Sequence, residues 1–261
     1  MSVKLAVIGG GNMARAIVGG AIRVGVLQSS HVAVADPDDS CRSFFDQLGC
    51  VTVKCASDLP NTKYTLIAVK PQVFNDIASC ISSDIIYSIM AGVSTSRISQ
   101  AIGNECVVRV MPNLPCSLGF GAAGLALGSG ATVKDAQLAV ELFSAVGSVV
   151  DVDESMMDAV TAVSGSGPAY VFLLAEAMIA GGVQTGLDLE VATELVQQTI
   201  RGAAELLVQD ERSATELREA VTSKGGTTDA AITVMQDRGF SDIVGDGVVS
   251  ARDRGEELGK S

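Results

Sequence analysis

The sequence predicts an α/β fold: a doubly wound parallel sheet in the N-terminal half of the chain, followed by an all-α C-terminal domain. Three observations carry this reading. Short β-branched runs alternate with helix-period segments as far as Asp151, a glycine-rich turn follows the first run, and no strand-like run appears beyond Asp151. Alternating βαβ units with near-continuous apolar strands imply a parallel sheet covered by helices on both faces.

In chain order the strand-like runs are VKLAVI (3–8), HVAVAD (31–36), YTLIAV (64–69), IIYSIMA (85–91) and CVVRVM (106–111). Gly121–Leu127 and Ser148–Val152 extend the sheet, and Met13–Val24 and Asp135–Val146 carry apolar residues at helical spacing. Beyond them Met156–Val163, Ala169–Gln184, Glu190–Gln209, Thr215–Thr222 and Asp229–Arg238 read as helices. On Glu190–Gln209, Val191, Leu195, Val196, Thr199, Ala203, Leu206 and Leu207 share one face. Ser213-Ala-Thr-Glu216 is a capping box, and Gly239 suits a helix C-terminus. Two uncharged stretches, Leu114–Val133 and Ala159–Ala175, raise the question of membrane spans. Glycines and serines break the first, and the second holds Ser-Gly-Ser-Gly-Pro and is followed by Glu176. A buried strand and a core helix are expected instead. The acidic Asp151-Val-Asp-Glu154 marks a junction, which gives a first domain at 1–151 and a helical one at 152–261.

Composition excludes several function classes. A net charge of −12, 4% aromatic residues and no Trp disfavour a phosphate backbone or a base-stacking platform, so no nucleic-acid partner is expected. The opening MSVKLAVIGGG has no charged n-region or cleavage pattern, and a cytoplasmic, non-membrane protein is expected. Six cysteines form no CxxC pair and His31 is the one histidine, so no metal site is expected and the thiols read as reduced core residues. Catalysis, if present, must work without histidine.

AVIGGGNMARAI places Gly9-x-Gly11-x-x-Ala14 between the first strand and the first helix. Gly9 permits the tight turn, Gly11 lets backbone approach a pyrophosphate, and Ala14 keeps helix and strand close. The helix N-terminus offers amides and a positive dipole end to phosphate. The segment Ile8, Gly9, Gly10, Gly11, Asn12 and Met13 is therefore a Rossmann-type dinucleotide-binding turn. Asp36, ending the second strand, can accept hydrogen bonds from an adenine ribose; the nearest following cation in sequence is Arg42. This tilts the choice of cofactor between NADPH and NADH toward NADH. Asp38 and Asp39 read equally well as a solvated acidic turn. Ala68, Val69, Lys70 and Pro71 close a later strand, where Lys70 is either a surface cation or a neutraliser of cofactor phosphate. Ala91 and Gly92 close the next, and their small size would admit a nicotinamide ring.

Within the helical domain, a pair of loops stands out: Ser164-Gly-Ser-Gly-Pro-Ala169 and Thr222-Ser-Lys-Gly-Gly-Thr-Thr228. Pro168 suits the first position of a helix, and Thr227 or Thr228 suits the N-cap of one starting at Asp229. Taken alone, both loops could simply be capped helix starts. Together, however, VIGGGNMARAI (7–17), AVKP (68–71), MAGV (90–93), VRVMPNLP (108–115), VSGSGPAYVF (163–172) and TSKGGTTDAA (222–231) resemble the pyrroline-5-carboxylate reductase family, in family order and across nearly the whole chain.

The resemblance implies reduction of Δ1-pyrroline-5-carboxylate to L-proline with NAD(P)H, the last step of proline biosynthesis. It also implies a homodimer, or a larger assembly of dimers, with active sites where the two domains of partner subunits meet. By position, Ser223, Gly225, Gly226, Thr227 and Thr228 would hold this small-molecule substrate, with Thr228 nearest the ring nitrogen. Ser223 and Thr228 carry the catalytic expectation, and Glu154 aligns near a substrate-side acidic position. Lys224 stands where many members have proline, which bears on loop stiffness more than chemistry.

Two rivals share features of this plan. A β-hydroxyacid dehydrogenase would need a helix lysine as its acid/base, yet beyond Asp151 the chain has only Lys224 and Lys260. A non-catalytic dinucleotide-binding regulator would have no need of the hydroxyls at 223 and 228.

Overall fold

The computed structural model describes residues 3–260. Its strands are β1 Leu5–Ile8, β2 Val32–Ala35, β3 Val51–Val53, β4 Tyr64–Ile67, β5 Ile85–Ser88, β6 Val107–Met111, β7 Gly121–Leu127 and β8 Gly147–Asp151. They form one sheet in the order β3-β2-β1-β4-β5-β6-β7-β8. The first six pair in parallel, with β1 between β2 and β4. The expectation of a parallel sheet needs one correction: β7 runs antiparallel to β6, with Val108 opposite Leu127, and β8 follows parallel to β7. The link between β6 and β7 contains only the 3-10 turn Leu114–Leu118, too short for a crossover, so the chain folds straight back.

The sheet lies between two apolar layers, and the period of the strands sorts their residues between them. Leu66, Ile85, Tyr87 and Val108 join one layer, with Ile17, Val18, Leu142 and Phe143. Their neighbours Ile67, Ile86 and Val107 join the other, with Phe74, Met90 and Ile98. Buried Tyr87 donates its hydroxyl to the Asp135 carbonyl at 2.7 Å, which satisfies the one polar atom that its ring carries into the core.

The helices are α1 Asn12–Arg23, α2 Asp39–Gln47, α3 Phe74–Ile77, α4 Thr95–Ile102, α5 Val133–Ser144, α6 Met157–Val160, α7 Gly167–Gln184, α8 Leu189–Gln209, α9 Ala214–Ala220, α10 Thr227–Asp237 and α11 Phe240–Lys260. The capping box at Ser213 and Glu216 forms in both directions. Gly239 takes φ +74° immediately after the Arg238 C-cap of α10. The last helix, α11, stands where no element was expected, because Gly245, Gly247 and Gly255 dilute its helical signal.

By packing, residues up to Pro168 together with those from Val249 onward form one compact unit, and Ala169–Val248 form a second. The first unit thus continues past the sequence junction at residue 151. Buried Met157 and Ala162 anchor this continuation, and Asn113 Nδ2 donates to the Ser164 carbonyl at 3.0 Å.

In the second unit the described buried hydrophobic residues are Ala192 and Val196. This overturns the expectation of a core helix at Ala159–Ala175: α7 buries no residue, and Phe172 is 56% exposed. The apolar face of α8 is partly open, with Val196 buried but Leu195 54% exposed. The run Glu154–Gln184, with mean hydropathy up to 1.3 in an 18-residue window, is long and apolar enough to cross a membrane by length and composition. A second correction concerns the thiols. Cys50 and Cys116 are buried, but Cys55 and Cys80 are exposed because they lie in loops and turns outside the apolar layers.

Gly147 marks the tightest approach between β7 and β8, where an added Cβ would stand 2.1 Å from the Gly121 carbonyl oxygen. Gly147→Ala is expected to destabilise the protein by roughly 3 kcal/mol, read as a lower denaturant midpoint. An unchanged midpoint would mean that the β7–β8 edge yields freely.

Candidate active site

The sheet changes winding direction between β1 and β4, and the turns at their C-terminal ends diverge there. A cavity of about 500 Å³ opens at this point, lined by Ile8, Gly9, Gly11, Asp36, Ala68, Val69 and Lys70 among others. Two glycines shape it in different ways. Gly9 has φ +98°, and a Cβ there would meet the Ala68 carbonyl oxygen at 2.7 Å, so the turn closes against β4 only without a side chain. Gly11 has nothing within 4 Å of its Cβ position, which leaves the backbone open to a close-lying group. Gly11 also N-caps α1 without a side-chain cap, so the first-turn backbone at Asn12 and Met13 is left for an anion. This cradle fits a dinucleotide pyrophosphate.

Asp36 builds the same turn from the other side. Its Oδ2 accepts from Gly10 N at 2.7 Å, and its Oδ1 accepts from Asp38 N at 2.8 Å. Asp38 in turn caps α2 by accepting from Ser40 N at 2.8 Å, and hydrogen bonds from Ser40 hold its carboxyl below the ordinary range. Capping of α2 is a role that neither reading of Asp38 names. The structure adds cations that sequence distance hid. Arg42 Nη1 donates to the Asp36 carbonyl at 2.6 Å, and its Nη2 pairs with Asp39. Arg15 donates to the carbonyls of Gly10 at 3.2 Å and Ser40 at 2.9 Å, with its guanidinium over the Phe44 ring. One turn of α2 carries Arg42 back toward the strand end. Lys70 is exposed on the cavity wall just before the Pro71–Val73 turn.

After β5 the chain passes Ala91, which is exposed, and Gly92, which takes φ +69°, before Thr95 opens α4. Glu154 reaches this point from the far end of the first unit's sequence. Its two carboxylate oxygens accept from Thr95 N and from Thr95 Oγ1, each at 2.6 Å. Behind it lies Arg109, with guanidinium nitrogens 3.8 Å from Glu154 and 3.8 Å from Asp158. Arg109 was not among the residues expected here, although a charge inside the apolar run VVRVM was a visible signal.

Ser223, Gly225, Gly226, Thr227 and Thr228 come together in one turn of the second unit. Helix α10 starts at Thr227 with Gly226 as N-cap, which corrects the expected start at Asp229 and the expected threonine cap. The glycine has the extended backbone that a cap requires, so no hydroxyl is consumed in capping. Gly225 has φ +74°, and its amide donates to Asp229 Oδ2 at 2.8 Å, while Gly226 N donates to the Ser223 carbonyl at 2.9 Å. The first helical bond of the turn runs from Ala230 N to Gly226 O at 3.1 Å. It leaves the amides of Thr227 and Thr228 ahead of the helical ladder, beside their two hydroxyls. Glu154 lies in the first unit, where it accepts from Thr95.

Comparison with known proteins agrees with both halves of this arrangement. The family model described as pyrroline-5-carboxylate reductase dimerisation matches residues 154–258, and one described as NADP oxidoreductase, coenzyme F420-dependent, matches residues 4–92. The chain is 38% identical to the pyrroline-5-carboxylate reductase of Synechocystis, covering 100% of both chains. It is similar to the solved pyrroline-5-carboxylate reductase of Coxiella burnetii, with a TM-score of 0.91 at 34% identity over 99% of each chain. A Plasmodium falciparum pyrroline carboxylate reductase with NADP bound superposes with a TM-score of 0.86 at 27% identity over 98% of each chain.

Gly9→Ala tests the cradle. A methyl group pressed against the Ala68 carbonyl must push the turn away from β4, and the dinucleotide dissociation constant is expected to rise at least roughly tenfold in fluorescence titration. Unchanged affinity would remove Gly9 from the binding turn.

Proposed function

The chain belongs to the pyrroline-5-carboxylate reductase family, and we infer from that membership and from the site geometry how its residues work. The reaction is hydride reduction of the C=N bond of Δ1-pyrroline-5-carboxylate to L-proline with a nicotinamide cofactor. The observation that carries the mechanism is the turn at Ser223–Thr228, where two glycines and a helix start without a side-chain cap leave amides and hydroxyls for a ligand.

The substrate is a small cyclic imine with a carboxylate. We assign the carboxylate to the backbone amides at Thr227 and Thr228, with the Ser223 hydroxyl as a further donor and Gly225 and Gly226 shaping the turn; the helix dipole adds to these contacts. Gly225 and Gly226 allow this approach because a Cβ on Gly226 would stand 2.6 Å from Ser223 Oγ and close the turn. Thr228 holds the ring nitrogen: its hydroxyl oxygen accepts from the iminium N–H and fixes how the imine carbon is presented. When bound, the reduced nicotinamide would supply the hydride. As the imine carbon gains it, the π electrons of C=N settle on nitrogen, which already carries its proton. No general acid is required, in keeping with a mechanism without histidine.

The dinucleotide is held by Ile8–Met13, Asp36 and the Ala68–Pro71 turn, with Ala91 and Gly92 as a flat platform for the nicotinamide. Lys70 serves the phosphates from the cavity wall. We propose that NADH is preferred to NADPH. The Asp36 carboxylate would repel a 2′-phosphate, and the nearest guanidinium, that of Arg42, is already paired with Asp39. Glu154 supports the Thr95 turn through both of its carboxylate oxygens, and we keep it as the acidic residue on the substrate side. The functional domains are then 1–151 for the cofactor and 152–261 for dimerisation and substrate. The open apolar faces of α7 and α8 suit the interface of a homodimer, which can associate further, and a cytoplasmic enzyme is proposed.

Thr228→Ala is expected to lower kcat/KM about tenfold to a hundredfold, the worth of one such hydrogen bond, with unchanged NADH affinity. Wild-type turnover would remove Thr228 from the reaction. For the cofactor, Asp39→Asn releases Arg42 and is expected to raise NADPH use relative to NADH by roughly tenfold, as does Asp36→Ala. An unchanged ratio of the two kcat/KM values in both variants would refute the ribose assignment.

A further inference from the structure

We propose that Arg109 is a positioning residue for the reduction, holding the Ala91–Thr95 turn in place through Glu154. The inference rests on the reading of Ala91 and Gly92 as the nicotinamide platform.

Arg109 sits inside β6, 4% exposed, opposite Ser88 at the end of β5. A cation in a buried strand is costly unless charges meet it. Two do, Glu154 and Asp158, but at 3.8 Å each they lie beyond hydrogen-bond range, and Arg109 Nε and Nη2 have no hydrogen-bond partner among the described residues. Burial presses the guanidinium below its ordinary pKa, while Asp158 and Glu154 pull it back. Charge, more than directed bonding, therefore fixes the group. Two carboxylates that would repel each other converge on one cation, along a cavity of about 440 Å³ bounded also by Gly92 and Ser94.

The two carboxylates lead to different elements. Glu154 passes the constraint to Thr95 through its two 2.6 Å bonds and so anchors the turn that follows the platform. Asp158 lies against the last helix, where a Cβ on Gly255 would stand 3.3 Å from the Asp158 Cβ. Without the guanidinium, Glu154 and Asp158 would face each other as uncompensated like charges. Glu154 would then turn away from Asp158, and the Thr95 amide would lose its acceptor. The dinucleotide's phosphates and ribose are held at β1, β2 and β4, outside this frame. Loss of Arg109 should therefore appear in kcat and leave cofactor affinity intact.

The test compares Arg109→Met, Arg109→Lys and Glu154→Gln with wild type, measuring kcat per dinucleotide-binding site, the NADH dissociation constant and the melting temperature. Arg109→Met is expected to lose about tenfold in kcat with less than a twofold change in NADH affinity, and Arg109→Lys to recover some of the loss. Glu154→Gln should show the same pattern and stands in if Arg109→Met does not fold. A purely structural role would lower the melting temperature and the number of binding sites while kcat per site stayed at the wild-type value; that result overturns the proposal. Ala91→Leu, at an exposed position, tests the underlying reading. If it turns over normally, the platform and this inference both fall. If it is inactive while Arg109→Met and Glu154→Gln keep wild-type kcat per site, the platform stands and the positioning role alone falls.

Discussion

The contact on which the cofactor half of the molecule depends is the close passage of Gly9 against the Ala68 carbonyl at the winding reversal of the sheet. Parallel strands β1 and β4 end side by side there, and their following turns separate to leave a crevice. A side chain at residue 9 would fill the space where the two turns meet. The glycine sets the start of α1, the start of α1 sets where an anion can be held, and Asp36 locks the turn from β2 by accepting from Gly10 N. The apolar layers on both faces of the sheet make this arrangement rigid, because the strands that meet here, β1, β2 and β4, are almost wholly buried.

The second unit uses glycine for a different purpose. At 225 and 226 the glycine amides close the turn onto Asp229 and Ser223, which leaves the Thr227 and Thr228 amides at the helix start, and capping by Gly226 keeps the two threonine hydroxyls out of the cap. An arginine clamp for the substrate carboxylate becomes unnecessary. On the proposed mechanism no histidine is needed: an iminium is already an electrophile, and the protein has only to hold an anion, orient a nitrogen and present the imine carbon.

Much of this was legible in the sequence because backbone demands leave strong marks. β-Branched runs bounded by turns located seven of the eight strands, and the glycine turns at 9–11 and 225–226 stand where the sequence put them, at the starts of α1 and α10. What remained hidden depends on three-dimensional return paths. The reversal of β7 follows from a short link, and it reads in sequence like any other apolar run. Arg42 returns to Asp36 only because one helical turn folds it back. Arg109 was visible as a charge in an apolar strand, but its carboxylate partners lie more than forty residues downstream. Helix α7 looked like core because it is mostly apolar, yet its own unit buries none of its residues fully. An apolar face proposed for a partner surface reads in composition like one meant for an interior.

The most direct test of the central claim is steady-state turnover of the wild-type protein with Δ1-pyrroline-5-carboxylate, following NADH and NADPH oxidation in parallel and identifying the product. Stoichiometric formation of proline is expected, with the higher kcat/KM for NADH. Dinucleotide binding without oxidation of either cofactor in the presence of this imine would contradict the claim.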